Sequence, residues 1–100
     1  VEKILLDYSE SSVITTYNQS STEKTVFKGL EGVRTMFTGI FETLSDMSDL
    51  AAPITDVDED GKIIFITWKC PASGFMDATD TFIFDNENKI RRHTVVFRTG

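Results

Sequence analysis

The chain has 100 residues, enough for one domain with a real core and too few for two. Its formal charge of −6 opposes a surface that tracks phosphates, so no nucleic-acid partner is expected. A single cysteine excludes an internal disulfide framework and fits a reducing, cytoplasmic setting; with no signal-peptide pattern and no apolar run long enough to cross a bilayer, no membrane association is expected.

Val1, Ile4, Leu5 and Tyr8 follow helical spacing, which predicts a first helix that is short or truncated, since the chain begins inside the periodic pattern. Ser11 to Tyr17 carries Val13, Ile14, Thr15 and Thr16, β-branched residues that favour a strand. The polar run Ser20 to Lys24 predicts an exposed loop, with Thr25 to Lys28 a short returning strand. Gly29 to Met47 is the clearest helix: Val33, Phe37, Ile40, Phe41, Leu44 and Met47 recur at spacings of three and four and form one apolar stripe.

Leu50 to Val57 predicts a strand in which Pro53, lacking an amide donor, marks an edge or a bulge. Asp58 to Gly61 predicts an exposed turn. The run from Asp56 opens like a calcium loop, but its twelfth position is Thr67 rather than the required glutamate, so no metal is expected there. Lys62 to Cys70 is a strand apolar on both faces, with Ile64, Ile66, Trp68 and Cys70 on one and Ile63 and Phe65 on the other. One face would meet the helices and the other needs different cover, which predicts a homodimer through the outer face of the sheet. Cys70 ends that apolar run and reads as a buried, inert thiol.

Pro71 to Gly74 turns the chain into Ala78 to Phe97, two strand-like runs joined by Asp85, Asn86, Glu87 and Asn88 and therefore a β-hairpin. Alternation places Ala78, Asp80, Phe82 and Phe84 on one face of its first arm, and His93, Val95 and Phe97 on one face of its second. A carboxylate among Ala and Phe side chains is out of place unless a partner or a pocket relieves it. An imidazole that titrates near neutral pH is a suitable partner for proton exchange. A purely structural reading, with Asp80 bonded to Tyr8 or to backbone and His93 its neighbour, competes with that one.

These residues carry a resemblance. Asp80-Thr-Phe82, Phe84, Lys89-Ile90 and His93 resemble the terminal hairpin of the NTF2-like (cystatin-like) superfamily, in its branch of SnoaL-like cyclases and ketosteroid isomerases. Phe27-Lys-Gly-Leu-Glu-Gly-Val33 with Phe37 resembles the lead into that family's second helix, and Asp7-Tyr8 with Val13-Ile14 the end of its first helix and its first strand. The resemblance covers most of residues 1–100 and implies an α+β fold, the NTF2-like cone, in which a curved, mainly antiparallel sheet wraps around helices. It implies the acid/base role for Asp80, with His93 assisting. It also implies a cavity walled by Tyr8, Thr16, Phe37, Phe41, Trp68, Phe82, Val95 and Phe97 that takes a small, largely apolar molecule. No cofactor is implied. Ketosteroid isomerases carry a second aspartate on the first strand; here that stretch is Ile14-Thr-Thr-Tyr17, and a hydroxyl cannot abstract such a proton at neutral pH. Two readings follow: isomerase- or cyclase-type acid/base chemistry on a carbonyl compound, or a non-catalytic ligand-binding or dimerisation domain on the same fold.

Overall fold

The computed structural model describes residues 2–100, so Val1, the first member of the expected helical stripe, lies outside the described residues. The described chain runs α1 (Glu2–Leu5), β1 (Tyr8–Asn18), β2 (Glu23–Lys28), α2 (Gly29–Thr43), β3 (Ala51–Val57), β4 (Ile63–Cys70), a 3-10 turn (Pro71–Ser73), β5 (Phe75–Phe84) and β6 (Ile90–Thr99). The six strands form one sheet in the order β2-β1-β6-β5-β4-β3. Only the β1–β6 pair is parallel; the others are antiparallel. This α+β arrangement, a mainly antiparallel sheet with the helices packed on one face, is the architecture the hairpin motif implies.

Short polar runs set the strand connections. Asp85 closes the β5–β6 turn by accepting the Glu87 and Lys89 amides at 2.8 and 3.0 Å, while Asn88 takes the left-handed conformation at φ 61° that asparagine tolerates. Those amides hold the Asp85 carboxyl below its ordinary pKa. Asp58 closes the β3–β4 turn in the same way, accepting the Lys62 and Ile63 amides at 2.9 Å each. Its carboxyl is thus engaged in building the turn. Ser20 to Lys24 and Asp58 to Gly61 are exposed, and Pro53 lies in the edge strand β3.

The helix α2 lies across β1 and β2. A side chain at Gly32 would begin 2.8 Å from the Phe27 carbonyl carbon, so the absence of a Cβ there is what lets helix and strand approach. Under the helix sits the core of Tyr8, Ile14, Val33, Met36, Ile90 and Val95. The helix stops at Thr43, four residues short of its apolar periodicity. The following segment docks instead on the end of β4: the Asp46 amide bonds to Ser73 Oγ at 3.0 Å, Asp49 accepts the Ala72 amide at 3.1 Å, and the buried Cys70 thiol points at the Asp46 carbonyl at 3.2 Å. Met47 is left exposed.

The α2 side of the sheet carries the row Thr16, Val95, Asp80, Ile66 and, one step along, the row Ile14, His93, Phe82, Ile64, each set in register across β1, β6, β5 and β4. The opposite side carries Tyr17, Val26, Ile54 and Ile63, all exposed.

Candidate functional site

Because side chains alternate along a strand, Asp80 and Phe82 on β5 and His93 and Val95 on β6 face α2 together. Phe82 is the direct register partner of His93 and Asp80 that of Val95, so the carboxylate and the imidazole meet on the diagonal. His93 Nε2 lies 2.6 Å from Asp80 Oδ2. On its other side, His93 Nδ1 is 2.9 Å from the Tyr8 hydroxyl. Trp68, on β4 opposite Ala78 and so diagonal to Asp80, donates its indole N–H to Asp80 Oδ1 at 2.8 Å. Four side chains from four strands form one continuous hydrogen-bonded chain, Tyr8–His93–Asp80–Trp68.

The two ends of that chain are unequally wet. The His93 side chain is 1% exposed and that of Asp80 14%. Phe82 stacks on the imidazole with ring centres 4.2 Å apart, and Phe37 covers it from α2 at 6.2 Å. Tyr8 is 4% exposed. Burial, and after it the negative charge of Asp80, push the Tyr8 phenol well above its ordinary pKa, so it stays protonated. Asp80 Oδ1 accepts the Trp68 N–H, while Oδ2 faces the imidazole.

Beside this chain, between α2 and the sheet, is a cavity of about 480 Å³ lined by Thr16, Phe27, Thr35, Met36, Gly39, Ile40, Thr43, Trp68, Phe75, Val95, Phe97 and Thr99. No lining residue carries a charge, and the polar groups its side chains bring are threonine hydroxyls, the Trp68 N–H being engaged with Asp80. One end is aromatic, with Phe75 packed against Trp68 at 5.2 Å and Phe97 at 5.6 Å. Neither Asp80 nor His93 belongs to the lining, but the register partner of Asp80, Val95, and its hydrogen-bond donor, Trp68, do.

The residues expected from sequence therefore fall into three groups. Thr16, Trp68, Val95 and Phe97 line the cavity. Tyr8, Phe37 and Phe82 surround His93 instead. Phe41 is 45% exposed and outside the wall, because it follows Ile40 by one residue and so lies roughly 100° round the helix from it. The sequence did not point to Phe27, Thr35, Met36, Gly39, Ile40, Thr43, Phe75 or Thr99 as cavity wall. The spacing of Met36, Gly39 and Thr43 on α2 was the available signal, weakened because two of the three are not apolar. Among the described residues no cluster of His, Cys, Asp and Glu is arranged to hold a metal, and no helix is long and apolar enough to cross a membrane.

No family model matches the chain, and no curated protein matches it by sequence. Solved structures do match. A steroid delta-isomerase from Pseudomonas aeruginosa superposes with a TM-score of 0.68 at 15% identity, over 96% of this chain and 66% of its own. A protein designated a SnoaL-like polyketide cyclase, from Jannaschia sp. CCS1, gives 0.70 at 8%, over 96% and 70%. A protein of unknown function with a cystatin-like fold, from Methylobium petroleophilum PM1, gives 0.70 at 15%, over 96% and 63%. The chain thus spans slightly less than two thirds of the isomerase's length. At these identities the likeness is one of fold, and it places the chain in the NTF2-like, cystatin-like architecture that SnoaL-like proteins share.

Proposed function

We propose that this chain, on the fold just identified, binds a small, uncharged, largely apolar molecule between α2 and the sheet and performs acid/base chemistry on it through Asp80. The observation that carries the reading is the Asp80 carboxyl bonded to His93 and to Trp68, the latter a lining residue of a cavity with no charged lining. Ligand cavities of about 300 to 1,000 Å³, mostly apolar with a few placed polar groups, are the usual form of small-molecule sites, and 480 Å³ falls within that range.

A neutral carbonyl compound fits such a lining best, since an ion would be desolvated there without a counter-charge. In the step we assign to Asp80, a free lone pair of the carboxylate takes the proton from the carbon next to the carbonyl. The C–H electron pair moves into the adjacent bond and the carbonyl oxygen becomes the enolate oxygen. The Asp80 acid then returns the proton at another position, which is isomerisation, or the enolate carbon attacks a second carbonyl, which closes a ring, and the acid protonates the new alkoxide. His93 assists by keeping its N–H on the carboxylate and so limiting the reorganisation of charge. The stretch Ile14 to Tyr17, which matches the one where ketosteroid isomerases carry their second aspartate, holds no carboxylate, and Thr16 brings a hydroxyl to the cavity lining.

The second reading, a binding domain without catalysis, draws on the same geometry, since Asp80 is not itself among the residues that line the cavity. A thermal-shift screen of uncharged cyclic carbonyl compounds against the intact chain and Asp80→Asn separates the two. Binding to the native state stabilises by about 2.7 kcal/mol at a hundred times Kd. Acid/base function requires stabilisation of both proteins and turnover by the first alone; stabilisation without turnover by either selects the binding domain. Preferential binding of carboxylic acids would refute both. The exposed apolar residues Tyr17, Val26, Ile54 and Ile63 on the outer face support a homodimer through that face, and light scattering at micromolar concentration should give twice the chain mass rather than once.

A further inference from the structure

We infer that Tyr8 is a positioning residue for this site: by donating its hydroxyl hydrogen to Nδ1, it fixes the hydrogen of a neutral His93 ring on Nε2 and leaves Asp80 as the unprotonated carboxylate. The inference rests on the reading of Asp80 as the base and says how its charge state is set.

Counting hydrogens decides between the arrangements. The groups that face the imidazole are the Tyr8 hydroxyl at 2.9 Å from β1, the Asp80 carboxyl at 2.6 Å and the Phe82 ring at 4.2 Å from β5, and the uncharged Phe37 from α2. If Tyr8 donates to Nδ1, then Nε2–H donates to Asp80 and every hydrogen in the row has an acceptor. If Nδ1 carries the hydrogen, whether in the other neutral tautomer or in the imidazolium, the Tyr8 oxygen must accept. Its own hydrogen then has no partner in a site where Tyr8 is 4% exposed, and a buried donor without a partner is disfavoured. The row therefore selects the first arrangement. The raised phenol pKa points the same way, because Tyr8 keeps the hydrogen it must donate. Trp68, which can only donate, closes the far end of the row on Asp80 Oδ1 and likewise favours a carboxylate there.

His93 is the only histidine in the chain, so ¹⁵N NMR of the uniformly labelled protein at pH 7 reads its ring without assignment ambiguity. The expected spectrum has an unprotonated-type Nδ1 and a protonated-type Nε2. In Tyr8→Phe the Nδ1 lone pair loses its donor, so the Nδ1 signal should shift further from the protonated type. Hydrogen on Nδ1 in the intact protein, or ring signals unmoved in Tyr8→Phe, would overturn the inference. Should Tyr8→Phe fail to fold, the intact protein carries a second test: the Tyr8 hydroxyl hydrogen should show coupling to Nδ1 across the hydrogen bond, and its absence would count against the assignment. None of these readouts involves a ligand. A wrong tautomer therefore refutes the role of Tyr8 and leaves the cavity reading standing, while failure of ligand binding does the reverse.

Discussion

The hydrogen-bonded row makes a quantitative prediction about the pair Tyr8 and Asp80, which do not touch each other. In Asp80→Asn the amide oxygen can accept the Trp68 N–H, which places the amide NH2 against His93 Nε2. The ring must then carry its hydrogen on Nδ1 and give it to the Tyr8 oxygen, leaving the Tyr8 hydroxyl hydrogen unpaired at a cost of about 1 to 3 kcal/mol. The opposite amide orientation sets NH2 against the indole N–H at a spacing of 2.8 Å and is worse. Tyr8→Phe alone leaves the Nδ1 lone pair unpaired, again one group. In the double variant Nδ1–H faces a phenyl ring, so the count is still one unpaired group rather than two. The double variant should therefore be about as destabilised as either single one, with a coupling of about 1 to 3 kcal/mol, as groups within one network show. Urea unfolding measures this, and for a chain of 100 residues each 1 kcal/mol also moves Tm by about 4 to 8 °C. Effects that add to within roughly 0.5 kcal/mol would mean that Tyr8 and Asp80 are not linked through His93.

Two further predictions follow from the cavity and from Tyr8. A Cβ at Gly39 meets nothing within 4 Å, so Gly39→Ala should stabilise α2 by about 0.5 to 1 kcal/mol, whereas Gly39→Leu should keep the fold and abolish ligand-induced thermal shifts by filling the cavity; unfolding of Gly39→Ala or an undiminished shift in Gly39→Leu would contradict the cavity's position. The Tyr8 phenol has its pKa raised by folding, so the unfolded chain releases that proton first as pH rises. The contribution is complete below about pH 10 and is lost above it. The urea midpoint should fall between pH 10 and 11 more steeply in the intact protein than in Tyr8→Phe, and parallel curves would show that Tyr8 does not titrate differently on folding.

The architecture was legible in the sequence because its signals are local. Alternation along Ala78 to Phe84, the turn residues Asp85 to Asn88 and the stripe from Val33 to Phe41 each act over one element, and the hairpin register alone puts Asp80 and His93 on one face. The end of α2 was not legible, because Leu44 and Met47 continue the helical period while the docking of Asp46 and Asp49 on Ala72 and Ser73 ends it. Tyr8 was read as the end of a helix and opens β1 instead. Its bond to His93 joins residues 85 positions apart, through a parallel pairing that nothing in either strand announces. The Trp68–Asp80 bond could have been anticipated, since both face α2 across an antiparallel pair. The α2 side of the cavity wall could not: it runs through threonines and a glycine whose periodicity resembles that of any exposed helix face.

The central claim is that Asp80 exchanges protons with a carbon acid held in the cavity, and hydrogen–deuterium exchange tests it without knowledge of the natural substrate. A cyclic ketone that raises Tm in the thermal-shift screen is incubated in D2O with the intact chain or with Asp80→Asn, and its α-hydrogens are followed by proton NMR. Exchange well above the buffer rate is expected with the intact chain, falling to that rate with Asp80→Asn although the ketone still binds; exchange at the buffer rate with the intact chain, or equal rates with both proteins, would rule out Asp80 as the base.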